Sequence, residues 1–155
     1  MRNRPPTKVV EANVGKEMDQ LLADEKIPLR LATHTRAGWP MVVSLWFVPL
    51  AGSLWCSTQN SAVIVSHLRN DSRCGFEVAP DEPPYHGVRG RATATLDSGR
   101  GEEIIHILLN RYLGGIDSPL ARQLLSKGES EVAIEIVPVS MYTWDYRERM
   151  KGSLP

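Results

Sequence analysis

The run Pro40-Met41-Val42-Val43-Ser44-Leu45-Trp46-Phe47-Val48 constrains this chain more than any other. Read as an extended strand, it points Val42, Trp46 and Val48 to one side and Met41, Val43, Leu45 and Phe47 to the other, with Ser44 its only polar member. A strand that is apolar on both faces must be covered on both. One face fits the inside of a barrel, and the other calls for a partner subunit or a flat ligand. The preceding run, Leu29 to Thr35, is also extended. It is separated from Pro40 by Arg36-Ala37-Gly38-Trp39, a turn of hairpin length, so the two runs are expected to pair antiparallel.

The remaining periodicities extend this β pattern. Pro49-Leu50-Ala51-Gly52 turns the chain into a strand from Ser53 to Thr58. Asn60 to Asp71 carries β-branched residues within helix-capping signals and is read as a short helix, Ser61 to Arg69. Ser72 to Ala79 is a strand, the Pro80 to Pro84 segment is not, and His86 to Asp97 alternates cleanly between Val88, Ala92, Ala94, Leu96 and Arg89, Arg91, Thr93, Thr95. Two helices follow, Gly101 to Leu113 closed by Gly114-Gly115 and Ser118 to Ser126 with Pro119 in its first turn. Glu131 to Val137 is a strand that Pro138 is expected to break, and Val139 to Tyr146 resumes extended. Near the start, Asn13 is a plausible cap for a helix carrying Met18, Leu21 and Leu22 on one face and stopped by Pro28. The expected organisation is a flexible tail over 1–12, one domain over 13–150 and a short tail over 151–155. The expected class is mainly β (α+β), a barrel of about six antiparallel strands flanked by helices.

Charge narrows the function. The chain has 155 residues with 18 Lys+Arg against 18 Asp+Glu, and this neutrality disfavours a dedicated nucleic-acid binder. No apolar run approaches the roughly 18 residues of a membrane span, and Met1 to Pro6 lacks the apolar segment of a secretion signal, so a cytoplasmic protein is expected. The spacing G-x-G-x-x-G does not occur between a strand and a helix, and there is no phosphate-binding P-loop, H-E-x-x-H or C-x-x-C. No metal site is expected from His34, His67, His86, His106, Cys56 and Cys74, and the two cysteines read as small core hydrophobes.

Three neighbouring features point to a ligand. They are the two-faced strand, the Ser57-Thr58 strand end before a helix N-terminus that suits a phosphate, and Arg89 with Arg91 on one strand face. A flat aromatic cofactor with a phosphorylated tail would use all three. The same residues also suit a homodimer interface, an ordinary helix cap and a solvated arginine face.

The succession Leu29-Arg30-Leu31-Ala32-Thr33-His34-Thr35, Gly38-Trp39-Pro40, Ser44-Leu45-Trp46-Phe47, Leu54-Trp55-Cys56-Ser57-Thr58, His67-Leu68-Arg69-Asn70-Asp71-Ser72-Arg73 and Val88-Arg89-Gly90-Arg91-Ala92 resembles the pyridoxamine 5'-phosphate oxidase-like, FMN-binding split-barrel family. That family includes flavin and deazaflavin (F420) oxidoreductases. The resemblance implies a homodimer with a cofactor site in each subunit interface. It places Val42, Val43, Ser44, Leu45 and Trp46 along the isoalloxazine and ribityl chain, and Ser57 and Thr58 at the phosphate. Tyr85 to Arg89 would approach the flavin from a neighbouring strand, with Trp144 and Tyr146 covering it. The family's basic phosphate anchors fall at Val63 and Ile64, leaving Arg69, Arg89 or Arg30 as substitute cations. His67 and Tyr85 are the proton-donor candidates, and no catalytic acid or base is assigned. The implied function is an FMN-dependent oxidoreductase passing hydride to a small organic substrate. The alternatives are an F420-dependent reductase or a non-catalytic flavin- or haem-binding dimer. Vitamin B6 oxidation is not expected, because Trp144 to Met150 lacks the family's Arg and His residues that hold pyridoxamine phosphate.

Overall fold

The computed structural model describes residues 8–10 and 16–152. In chain order the elements are β1 (Lys8–Val10), α1 (Lys16–Asp24), β2 (Leu29–His34), β3 (Pro40–Leu45), β4 (Val48–Leu50), β5 (Ser53–Gln59), α2 (Val63–Asn70), β6 (Arg73–Val78), β7 (His86–Asp97), α3 (Gly101–Leu113), α4 (Pro119–Leu125) and β8 (Glu131–Asp145). The strands form one antiparallel eight-stranded sheet in the order β3-β2-β6-β7-β8-β5-β4, with β1 also on β8. On one edge β8 pairs with the whole of β7, and it divides its other edge between β5, at Glu131 to Ile136, and β1, at Met141 to Thr143.

A short connection closes this sheet. β3 and β4 lie at opposite ends of the strand order, yet only Trp46 and Phe47 separate them in the chain. Three Cα steps span at most about 11 Å, roughly two strand spacings. The two ends of the sheet are therefore drawn together into a split barrel. Leu29, Leu31, Phe47, Cys56, Phe76, Val78, Val88, Ile134 and Ile136 fill its interior, and α1 and α2 add Met18, Leu22, Ile64, Val65 and Leu68 to the same core. Outside, α3 lays Ile104 and Leu108 on Val48, Trp55 and Ala133, while Ile105 and Leu109 meet Ala121 of α4. The close approach of α3 to β8 requires glycine at its first residue, because a Cβ on Gly101 would stand 2.1 Å from the Glu131 carbonyl oxygen.

The run Pro40 to Val48 is not the single strand its alternation predicts. Pairing with β2 ends at Leu45, and Trp46 and Phe47 carry the chain across the split before Val48 pairs with Trp55. The facing still follows the alternation: Val43, Leu45 and Phe47 pack with the barrel core, and Trp46 and Val48 pack beneath α3. Val42, 62% exposed, and Met41, 44% exposed, are the apolar members of the run left uncovered. The Pro138 break is also absent. β8 continues through it because a bulge sets Ser140 opposite Arg91 and Pro138 opposite Ala92, accommodating a residue that has no N–H to donate. The sheet has eight strands where about six are expected: β4 is split from the β3 run, the runs on either side of Pro138 are one strand, β8, and β1 lies within the stretch read as a tail. α2 begins at Val63 rather than Ser61, and Ala62 at its cap makes no side-chain bond. Asn13 lies outside the described residues.

The last turn of α3 holds the crossover in place. The Trp46 ring stacks on Tyr112, with centroids 4.9 Å apart and planes 8° from parallel. The Tyr112 hydroxyl accepts the Phe47 N–H at 3.2 Å and donates its one proton toward the Ile27 carbonyl oxygen at 3.0 Å, with the Phe47 carbonyl oxygen 3.3 Å away. Beside it, the Arg111 guanidinium donates to the carbonyls of Leu22, Ala23 and Glu25 at 2.7 to 3.0 Å, capping the C-terminal end of α1 with a cation. Tyr112→Phe keeps the stack and removes the hydroxyl. It is expected to cost about 1–2 kcal/mol in urea unfolding, or a few degrees of Tm; unchanged stability would show that the hydroxyl does not secure the crossover.

Candidate functional site

The outer face of β3, β2, β6, β7 and β8 carries the residues that alternate away from the core. In register across it run Val42, Ala32, Gly75, Arg91 and Ser140, and beside them Ser44, Arg30, Glu77, Arg89 and Tyr142. The curved sheet makes an open cleft of about 450 Å³ here, lined by members of both rows. Its floor is low because Ala32 and Gly75 offer almost no side chain. A Cβ on Gly75 would meet only the Gly90 carbonyl oxygen at 3.6 Å and the Ala32 methyl at 3.9 Å, so glycine leaves space there rather than relieving a clash. Gly90 differs: a Cβ would stand 2.4 Å from the Ser140 carbonyl oxygen and 2.8 Å from the Phe76 ring, so this crossing of β7 over the core admits no side chain.

Three guanidinium groups face one carboxylate in this cleft. Arg30 donates to the Pro28 carbonyl at 2.8 Å and to the exposed Asp81 carboxylate at 3.1 Å. Arg91 is held by neutral partners, its Nε donating to the Ser140 hydroxyl at 3.1 Å and an Nη to the Tyr142 hydroxyl at 3.4 Å. Among the described residues no carboxylate lies within ion-pairing distance of Arg89 or Arg91, although Glu77 is opposite Arg89 in register. A hydrogen bond with Ser140 and the nearby Arg91 charge lower the Tyr142 hydroxyl below the usual tyrosine range.

The residues singled out from sequence fall in different places. Val42 and Arg89 line the cleft, and Ser44 is exposed beside Arg30. Val43 and Leu45 turn inward against the core, and Trp46 is committed to its stack under α3. Ser57 and Thr58 point to opposite sides of β5. Ser57 donates to the buried Glu131 carboxylate at 2.6 Å, with the Gly101 carbonyl 3.3 Å away, and Gln59 also donates to Glu131. Around α2, Val63 is 67% exposed, whereas Ile64 is 5% exposed and belongs to the core. His67 shares a 3.2 Å hydrogen bond with the buried Thr33 hydroxyl, and Arg69 donates to Asn60 Oδ1 at 2.6 Å. Tyr85 is exposed, its N–H on the Met150 sulfur and its carbonyl accepting from the Tyr146 N–H. Trp144 and Tyr146 do not line the cleft.

The cleft therefore gathers Val42, Arg89, Arg30 and Arg91 from the sequence reading and adds Gly75, Glu77 and Tyr142, which that reading did not place there. A glycine in the middle of β6, where it weakens a strand, was the available signal. Tyr142 could not be assigned without the β8 bulge, which sets its register. Among the described residues no three His, Cys, Asp or Glu side chains are grouped to hold a metal. Burial raises both thiols, Cys74 to about 11 and Cys56 further, so neither is a thiolate near neutrality. Both should resist a thiol-reactive disulfide at pH 8 in the folded protein and react once it is unfolded in guanidinium; rapid native labelling would contradict this burial.

No family model matches the chain, and no curated protein matches it. Solved structures do. A conserved hypothetical protein from Mycobacterium tuberculosis is similar with a TM-score of 0.73 at 21% identity, over 95% of this chain and 91% of that one. An F420 reductase matches at 0.70 and 19% identity, over 83% of this chain and 98% of its own. A candidate pyridoxamine 5'-phosphate oxidase from Listeria innocua matches at 0.62 and 18% identity, over 82% and 94%. At these identities it is the backbone path that is shared, and in its fold the chain is a split β-barrel of the pyridoxamine 5'-phosphate oxidase-like type.

Proposed function

We propose that this protein is a flavin-type oxidoreductase that binds FMN and passes hydride to a small organic acceptor. The observation that carries the reading is the outer-face cleft, in which a floor of Ala32, Gly75 and Val42 lies beside Arg89 and Arg91, two cations without carboxylate partners among the described residues. A planar ring fits the low apolar floor, and an anionic tail fits the guanidinium side. When bound, the flavin supplies the hydride chemistry; this chain's residues bind it, orient it and exclude water. Tyr142, which stands over the arginine side with a lowered hydroxyl pKa, is placed to exchange a proton at its oxygen. Several of the expected contacts fit poorly: Val43, Leu45 and Ile64 turn toward the core, Trp46 is stacked on Tyr112, and Ser57 is committed to Glu131.

The active unit in this reading is a homodimer. Val42 in the cleft and Trp39 in the turn between β2 and β3 leave apolar surface exposed at this edge of the sheet, at 62% and 74%. A second copy would cover that edge and complete the water-excluding wall. The likeness to an F420 reductase favours the deazaflavin as the alternative cofactor.

Purified protein should carry or take up a yellow chromophore whose released mass is that of FMN, run as a dimer in light scattering, and bleach anaerobically with NAD(P)H. A chromophore with the mass of F420 would select the alternative. Stable binding without turnover by any reductant would identify a flavin carrier, and failure to take up FMN or F420 at micromolar concentrations would reject the flavin reading.

A further inference from the structure

The two places where an anion could be held on this chain differ in what they offer. The start of α2, where the resemblance puts a phosphate, has an exposed Val63, a core Ile64 and no side-chain cap. The Ala62 N–H already donates to the Gln59 carbonyl and the Val65 N–H to the Ala62 carbonyl. Arg69, in the last turn of α2, donates to Asn60 Oδ1 and stands six residues from Val63 along the helix rather than beside its first turn. On the outer face, by contrast, the Ser140 and Tyr142 hydroxyls use two of the five Arg91 N–H donors, fixing the guanidinium without neutralising it. Arg89 stands two residues along the same strand face, about 7 Å away, with no carboxylate within ion-pairing distance among the described residues.

We infer that Arg89 and Arg91 form the anion site of this protein, holding a phosphate monoester on the outer face of β7 instead of at the first turn of α2. The inference deepens the flavin reading by locating the cofactor's charged end, but the site itself is defined by this chain's own donors. A phosphate monoester brings three strong acceptor oxygens and a charge of about −1.5 to −2 at neutral pH, which suits two guanidinium groups with unused N–H donors. Glu77, opposite Arg89, bounds the site on its β6 side and, by repelling the phosphate, sets it toward Arg91. The uncharged remainder of the ligand is thereby directed over Gly75 and Ala32, where there is space. The monoester can be that of FMN or of a phosphorylated substrate, and both present the same group to the arginines.

The test uses the full chain, with flavin fluorescence quenching for FMN and riboflavin and arginine Nε–H NMR signals for inorganic phosphate. FMN should bind at least ten-fold more tightly than riboflavin. The R89Q/R91Q double variant should abolish that difference while leaving riboflavin affinity unchanged, and R69Q should preserve it. Both arginines are exposed, so melting temperature should change little; Gly75→Leu, which fills the floor, should weaken both flavins together. Loss of the FMN advantage in R69Q, or its survival in the double variant, overturns the inference. If neither flavin binds but inorganic phosphate moves the Arg89 and Arg91 signals, the flavin reading fails and the anion site stands, with a phosphorylated substrate as its ligand. If phosphate moves neither signal, the anion site is rejected whatever the flavins do.

Discussion

The Trp46-Phe47 crossover is the constraint on which the rest of this protein depends. Two residues between opposite ends of a sheet leave the strands no option but to curl, and the curl creates an enclosed interior for Leu29, Leu31, Phe76, Val88 and Ile134. The crossover is held from outside, through the Trp46–Tyr112 stack and the Tyr112 hydroxyl, while Arg111 on the same turn fastens α1. One helical turn of α3 thus joins three separate parts of the chain. It also explains why the aromatic residue that looks most like a ring-stacking partner for a ligand is spent on the fold.

Closing the barrel this way determines what remains exposed. α3 and α4 cover the outside of β4, β5 and the first half of β8, where Trp55, Ala133 and Val48 are buried. The outside of β3, β2, β6 and β7 receives no helix, and its two rows of residues stay open. Charge is distributed accordingly. The exposed pairs Asp71–Arg73, Arg100–Glu103, Asp145–Arg147 and Glu148–Lys151 are each made between near neighbours in sequence and contribute little to stability. They balance charge locally, whereas Arg89 and Arg91 face a cleft whose one carboxylate is Glu77. A chain with no net charge therefore presents a cationic cleft.

Much of the fold was legible because alternation and capping are local. The face assignments in Pro40 to Val48 survive the split of that run, α3 ends at Gly114 with a φ of +71° as its glycine pair implied, and β7 spans the predicted His86 to Asp97. The errors came where a local signal was outweighed at long range. Pro138 lacks a donor, but β7 and β5 hold both edges of β8 nearby and a bulge costs less than ending the strand. The Ser57-Thr58 pair looked like one unit, yet adjacent strand residues face opposite ways, and the pairing with β8 put Ser57 against Glu131.

By itself the sequence determined the elements, the inward and outward faces of most strands, one cationic face on β7 and the lack of a cation at Ile64. These depend on residue type and on a period of two or 3.6, which neighbours along the chain supply. Only the tertiary structure decided which outward faces were covered and which strands lay side by side. The cleft is made from β2, β3, β6, β7 and β8, and its composition follows from a register that hydrogen bonds between distant segments set. Arg30, Glu77, Arg89 and Tyr142 are far apart in the chain, and they become one row because β2, β6, β7 and β8 pair side by side in this register.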